Sequence, residues 1–80
     1  MRTREAVAYR IRELCAERHI TPNGLSNIAG IPQATIKSIL NGESRNPGIV
    51  TIKKICDGFG ITLSQFFSVD YIDNLDQEIE

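Results

Sequence analysis

Cys15, Cys56 and His19 are the natural starting material for metal or thiol chemistry, and their spacing supports neither. The two cysteines lie 41 positions apart and His19 is the only histidine, whereas metal sites and disulfide frameworks need closely set or repeated ligands. No serine stands in a nucleophile elbow, no Cys–His pair has motif spacing, and no glycine-rich loop is built to cradle phosphate. The chain is therefore expected to be no enzyme and to hold no metal, cofactor or small-molecule ligand. Its thiols are expected to be buried and reduced. The side chains left are ones that hydrogen-bond rather than react. Gln33, Lys37, Ser38 and Asn41, with the small Ala34 among them, fall on the outward positions of one short predicted helix. An amide offers donor and acceptor together, an ammonium seeks acceptors, and a small residue permits close approach. A helix presenting that face can enter a DNA major groove.

Two helices must hold such a face out, and the segment 22–41 has their pattern. Thr21 is a predicted N-cap with Pro22 in the first turn, where a missing N–H costs nothing. A short helix runs to Ala29, carrying Leu25, Ile28 and Ala29 inward. Ser26 is small enough for a close crossing, and Gly30 supplies the sharp turn four positions later. Ile31 plugs that turn. Pro32 opens a second helix with Ile36, Ile39 and Leu40 on its apolar side, closed by Asn41-Gly42.

Around this unit the periodicity is helical throughout. Val7, Ile11, Leu14 and Cys15 give one face of a helix over about 4–18. After the polar loop Glu43–Gly48, residues Ile49, Ile52, Ile55, Cys56 and Phe59 form another stripe, ended by Gly60. Thr62 and Gln65 make a capping box for a short fifth helix with Leu63, Phe66 and Phe67. The expectation is an all-α, compact five-helix domain over residues 1–69.

Eighty residues leave room for one small core. With 41% hydrophobic and 24% charged residues, the composition is that of a folded domain rather than a disordered chain. The longest apolar run, Ala6–Tyr9, is far short of a membrane span, and arginines interrupt the N-terminal region, so a cytoplasmic location is expected. The net charge of −1 conceals an asymmetry. Residues 1–69 hold all nine Lys and Arg against five acids, a net of +4, while 70–80 hold the other five acids and no base, a net of −5. A basic body with an acidic tail is compatible with a polyanionic partner for the body.

The segment PNGLSNIAGIPQATIKSILN, continued by NPGIVTIKKICDGFGITLSQFF, resembles the phage-repressor and Cro-like helix-turn-helix family, also called the xenobiotic-response-element family. The likeness covers roughly residues 5–67. It implies a repressor-like five-helix domain that binds double-stranded operator DNA, as a homodimer, to regulate transcription. Under that resemblance Gln33 matches a position that commonly reads a base, and Ala34, Lys37 and Ser38 match other groove-facing positions. Asn41, Arg45 and Asn46 match the loop beside the DNA backbone. Amides of Gly48–Val50, at the start of the fourth helix, could meet a phosphate at the positive dipole end. The alternative is an antitoxin-like or adaptor module that keeps the fold without binding an operator.

Several positions depart from the family pattern. Pro22 replaces a polar residue that contacts phosphate in relatives. Ser26 replaces the usual alanine, and its hydroxyl can bond back to a carbonyl. Cys15 and Leu40 stand where many relatives carry an internal Arg–Glu ion pair. Joint replacement by apolar residues removes that pair without orphaning a charge, so the two side chains are expected to touch. The N-terminal arginines (Arg2, Arg4, Arg10, Arg12 and Arg18) are expected to be solvated charges and helix-surface pairs, with one or two of them touching DNA. In the tail, Val69, Ile72, Leu75 and Ile79 form a stripe at helical spacing. It is expected either to fray or fold back on its own domain, or to pack on a second copy; folding over the basic face in competition with DNA is electrostatically possible as well.

Overall fold

The computed structural model describes residues 1–79. Six helices follow one another: α1 (Thr3–Arg18), α2 (Pro22–Ala29), α3 (Gln33–Leu40), α4 (Ile49–Phe59), α5 (Leu63–Phe67) and α6 (Asp70–Asp73), with no strand among the described residues. The first five match the expected elements, and α6 is one additional turn.

Local chemistry explains most boundaries. The Thr21 hydroxyl accepts the Gly24 N–H at 3.0 Å with Pro22 in the first turn of α2. Thr62 and Gln65 form the reciprocal capping box of α5, at 3.0 and 2.9 Å. Gly30 ends α2 at φ 68, a left-handed conformation that glycine adopts without penalty. Pro32 precedes α3 as its N-cap rather than opening it, because its ψ of 140 is not helical. His19 ends α1 in the left-handed region, at φ 55.

The helices close around one core. Val7, Ile11, Leu14 and Cys15 of α1 meet Leu25, Ile31, Ile36 and Ile39 of the helix-turn-helix, and Ile52, Ile55, Cys56, Phe59 and Phe66 from the later helices. Leu40 packs half-buried against this cluster, which contains Cys15. Both cysteines are free and buried, and burial pushes both thiols above their ordinary range. Ser26, the one buried polar residue among those described, donates its hydroxyl to the Asn23 carbonyl at 3.0 Å.

Two expected core residues are not in the core. Ile28 is 55% exposed and Ile49 59%. Leu25, Ser26 and Ala29 span the inward arc of α2, and at 100° per residue Ile28 falls about 110° from its centre. Ile49 is the first residue of α4 and projects past the edge of its neighbours.

Gly58 lies inside α4. A Cβ on Gly58 would lie 3.3 Å from the backbone nitrogen, Cα and Cβ of Ala29. Its missing side chain is what lets α4 approach α2 so closely, and that approach braces the helix-turn-helix from behind.

The arginines of α1 depart from expectation most. Arg12 donates to the Leu40 carbonyl at 3.2 Å. Arg18 donates to the Phe59 carbonyl and lies over the Phe59 ring, 5.7 Å from its centroid. Arg10 donates to the carbonyls of Phe66, at 2.7 Å, and Gln65, at 3.0 Å, and pairs with Glu13 at 2.7 Å. One cation of α1 thus meets the C-terminal end of each of α3, α4 and α5, where orphan carbonyls and the macrodipole favour positive charge. Arg12 and Arg18 stay exposed and Arg10 makes the expected helix-surface pair, but all three also cap a later helix.

The tail folds back on its own domain. The amphipathic helix expected across 70–80 lasts only from Asp70 to Asp73, since acids near a helix C-terminus oppose the dipole and four residues cannot propagate a helix; Glu80 lies outside the described residues. Tyr71 packs edge-on against Tyr9, with ring centroids 5.1 Å apart, and its hydroxyl donates to Glu13 at 3.0 Å. Burial and that carboxylate push the Tyr71 phenol up to about 12. Beyond Asn74 the chain runs past the start of α1, where the Asp76 N–H donates to the Met1 carbonyl at 3.2 Å. Ile79, counted in the apolar stripe, is 88% exposed.

Candidate nucleic-acid interface

α1, α2 and the core hold α3 in place from behind. Ile36 and Ile39 anchor it in the core, Ile31 plugs the turn before it, and the Ile31 N–H closes that turn on the Ser26 carbonyl at 3.0 Å. Arg12 seals its last carbonyl. The opposite face of α3 is free: Gln33, Ala34 and Lys37 are exposed, and so is Asn41 just beyond.

These four residues border one concavity of about 510 Å³, together with Arg12 of α1 and Pro22 and Asn23 at the start of α2. No acidic side chain lines it. Its cations are Lys37 on α3 and Arg12, whose guanidinium is held by Leu40. The geometry therefore joins three amides, a small side chain and two positive charges on one open surface. Ser38 is placed differently. It is half-buried, and its hydroxyl points to the Glu43 carboxylate at 3.5 Å, while its carbonyl accepts the N–H groups of Glu43 and Ser44 at 2.9 and 3.1 Å.

Arg45 and Asn46 are also exposed but line a second concavity of about 660 Å³, shared with Arg2, Thr3, Arg4, Pro47 and Glu78. A groove of about 390 Å³ runs along α1 and shares Arg4 with one region and Arg12, Leu40 and Asn41 with the other; Glu5, Ala8, Tyr9 and Gly42 complete its lining. Gly48 caps α4 with no side-chain hydrogen bond, so the first-turn amides of that eleven-residue helix are open to an outside acceptor.

Arg4 and Arg12, two of the arginines among which sequence reasoning allowed one or two DNA contacts without saying which, are the ones that line the groove along α1 and one of the two larger concavities each. Their signal is visible in retrospect. They stand eight positions apart with Ala8 midway, so all three share one face of α1, and the small residue leaves a groove between two cations.

A helix-turn-helix whose second helix is anchored on one side and polar, cationic and open on the other defines a DNA-binding domain. Residues 10–70 match the model of the Cro/C1-type helix-turn-helix DNA-binding domain, and the chain belongs to that family. It is similar to a protein whose solved structure is described as the crystal structure of the prophage Lp1 protein 11. The two are 32% identical, the match covers 91% of this chain and 97% of that one, and the TM-score is 0.81. No curated protein matches the chain. Among the described residues no helix is long and apolar enough to cross a membrane, and no group of His, Cys, Asp or Glu is placed to hold a metal ion.

Proposed function

We propose that this chain is a sequence-specific, repressor-like regulator of transcription that acts in the cytoplasm as a homodimer on double-stranded operator DNA. The observation that carries the reading is the shared, acid-free concavity of Gln33, Ala34, Lys37 and Asn41 on the free face of α3, in a member of a DNA-binding family. In this reading α3 enters the major groove. Gln33 pairs through its amide with adenine, Ala34 meets a thymine methyl, and Lys37 reaches guanine or a phosphate. Ser38 sits at the margin of the reading face and bonds a base once turned from Glu43. Asn41, Arg45, Asn46 and the open amides at Gly48 hold the phosphate backbone. Arg12, fixed by its bond to Leu40, adds positive potential beside the free face of α3. The acidic segment 70–80 is an appendage of the 1–69 DNA-binding domain.

Selection of binding sites from random duplexes, followed by a salt titration, tests the reading. A repressor-like dimer recovers a two-fold site with half-sites ~10–10.5 bp apart, and its affinity falls steeply with salt through counterion release. An antitoxin-like or adaptor module would enrich no sequence and bind no duplex at any salt, and that result would overturn the proposal.

A further inference from the structure

The acidic tail does not merely pack on the domain; it delivers one carboxylate into a cationic seat. Glu78 accepts the Thr3 backbone N–H at 3.3 Å and the Thr3 hydroxyl at 3.0 Å, and pairs with the Arg2 guanidinium at 3.5 Å. Two residues earlier, Asp76 meets the Met1 amino group at 3.3 Å. The seat is thus a main-chain N–H, a hydroxyl and a guanidinium at the positive end of the sixteen-residue α1, a donor set that suits a phosphate oxygen as well as a carboxylate. Glu78 shares its concavity with Arg4, Arg45 and Asn46. Arg4 in turn lines the groove that leads past Asn41 and Arg12 to the reading face of α3.

We propose that the segment beyond α6 is an autoinhibitory strap, in which the Glu78 carboxylate occupies the seat that a DNA phosphate takes when a duplex lies along the Asn41–Arg45 side of the domain. The inference rests on the DNA-binding reading above and goes beyond it. Four features of the strap support displacement rather than permanent closure. It is anchored upstream by Tyr71 on α1, so Glu78 is tethered close to its seat. The described segment after Asn74 has no regular secondary structure, and the polar side-chain contacts of Asp76 and Glu78 are exposed, so solvent and salt weaken them. Its hydrogen bonds with Thr3 hold the Glu78 carboxyl below the usual carboxylate range, so it is an anion throughout the neutral range. Finally, two like charges cannot share one seat. A phosphate arriving beside Arg2 and Arg45 must expel the carboxylate.

A strap that is closed most of the time weakens apparent affinity by the fraction of molecules that are open. Surface pairs of this strength correspond to a suppression of about three- to tenfold. The test compares Glu78→Ala with Asp73→Ala in the full chain. Both lose one negative charge, but Asp73 makes no side-chain hydrogen bond or ion pair among the described residues. Binding of a fluorescent random-sequence duplex is measured by anisotropy at low ionic strength, with circular dichroism confirming that each variant is folded. The strap predicts that Glu78→Ala binds about three- to tenfold tighter than the wild type, well beyond the change in Asp73→Ala. It also predicts that duplex added to the wild type moves the Thr3 amide resonance to its position in Glu78→Ala. Equal gains in the two variants would reduce the tail to its net charge and overturn the strap while leaving DNA binding intact. Unchanged affinity in Glu78→Ala would overturn it too. If no folded protein in the series binds the duplex, it is the DNA-binding reading that fails, and the strap falls with it.

Discussion

Replacing Arg10 by methionine keeps the apolar stem of the side chain and removes its charge and all its donors. Arg10 is the most enclosed of the α1 cations that cap later helices, with a side chain only 11% exposed in its pair with Glu13. Three interactions are lost. The Phe66 carbonyl, part-buried, loses a charge-assisted donor at 2.7 Å, a loss of about 1.5–2 kcal/mol. The Gln65 carbonyl is open to water, so water replaces the donor and the loss is about 0.5 kcal/mol. Glu13 loses its ion pair but keeps the Tyr71 hydroxyl, which limits that part to about 1 kcal/mol. The total is about 3 kcal/mol, against a stability of roughly 4–12 kcal/mol for a chain of this length. The midpoint of thermal unfolding should fall by roughly 12–24 °C. Urea denaturation followed by circular dichroism measures the effect, and an unchanged m-value would show that the unfolded state is not the cause. A loss under about 1 kcal/mol would refute the reasoning, because it would mean that the C-terminal carbonyls of α5 are as well served by water as by the guanidinium.

Three further expectations concern reading, packing and pH. Gln33→Ala should relax base preference at one position per half-site at a loss of ~1–3 kcal/mol, whereas Arg45→Ala should weaken all duplexes alike and lower the salt slope by about one; wild-type behaviour in both would place the reading face elsewhere. Gly58→Val should destabilise by roughly 1–3 kcal/mol through overpacking, since its Cβ meets the backbone of Ala29 at 3.3 Å; a raised thermal midpoint would show that α2 and α4 can part freely. The phenol of Tyr71 ionises more readily in the unfolded chain, with an ordinary value of 10.0, than in the fold, where it is pushed up to about 12. Its protonated form therefore favours the fold fully below pH 10, and that stabilisation is lost as pH rises from 10 towards 12. Subtracting the stability–pH curve of Tyr71→Phe from that of the wild type isolates the effect, and parallel curves through this window would contradict it.

The elements of this domain were legible in the chain because the forces that start and stop them are local. A hydroxyl at Thr21 or Thr62 caps the helix that begins beside it, Gly30 turns left where the backbone requires it, and apolar residues at spacings of three and four choose their own face. The helix-turn-helix is compact enough in sequence that the same logic extends to its second helix. Gln33, Ala34, Lys37 and Asn41 fall on the free side of α3 because Ile36 and Ile39 take the buried one.

What periodicity could not supply is the destination of groups whose partners are distant in the chain. Arg10, Arg12 and Arg18 read as ordinary surface charges until the fold brings the ends of α5, α3 and α4 within reach, 56, 28 and 41 residues away. Long flexible side chains carry no directional signal of their own, so their roles are set by which carbonyls tertiary packing leaves orphaned. The tail obeys the same rule. Its apolar spacing suggested a helix, but four residues of helix have little cooperativity to resist unwinding. Tyr71 on Tyr9 and Glu78 on Thr3, 75 positions apart in the latter case, determine its path instead. Sequence alone placed the first five helices and the side of α3 that carries Gln33, Ala34 and Lys37. Tertiary structure alone decided which cations are engaged as helix caps, which line the interface, and which anion now sits on α1, because those assignments depend on distances that only the packed chain defines.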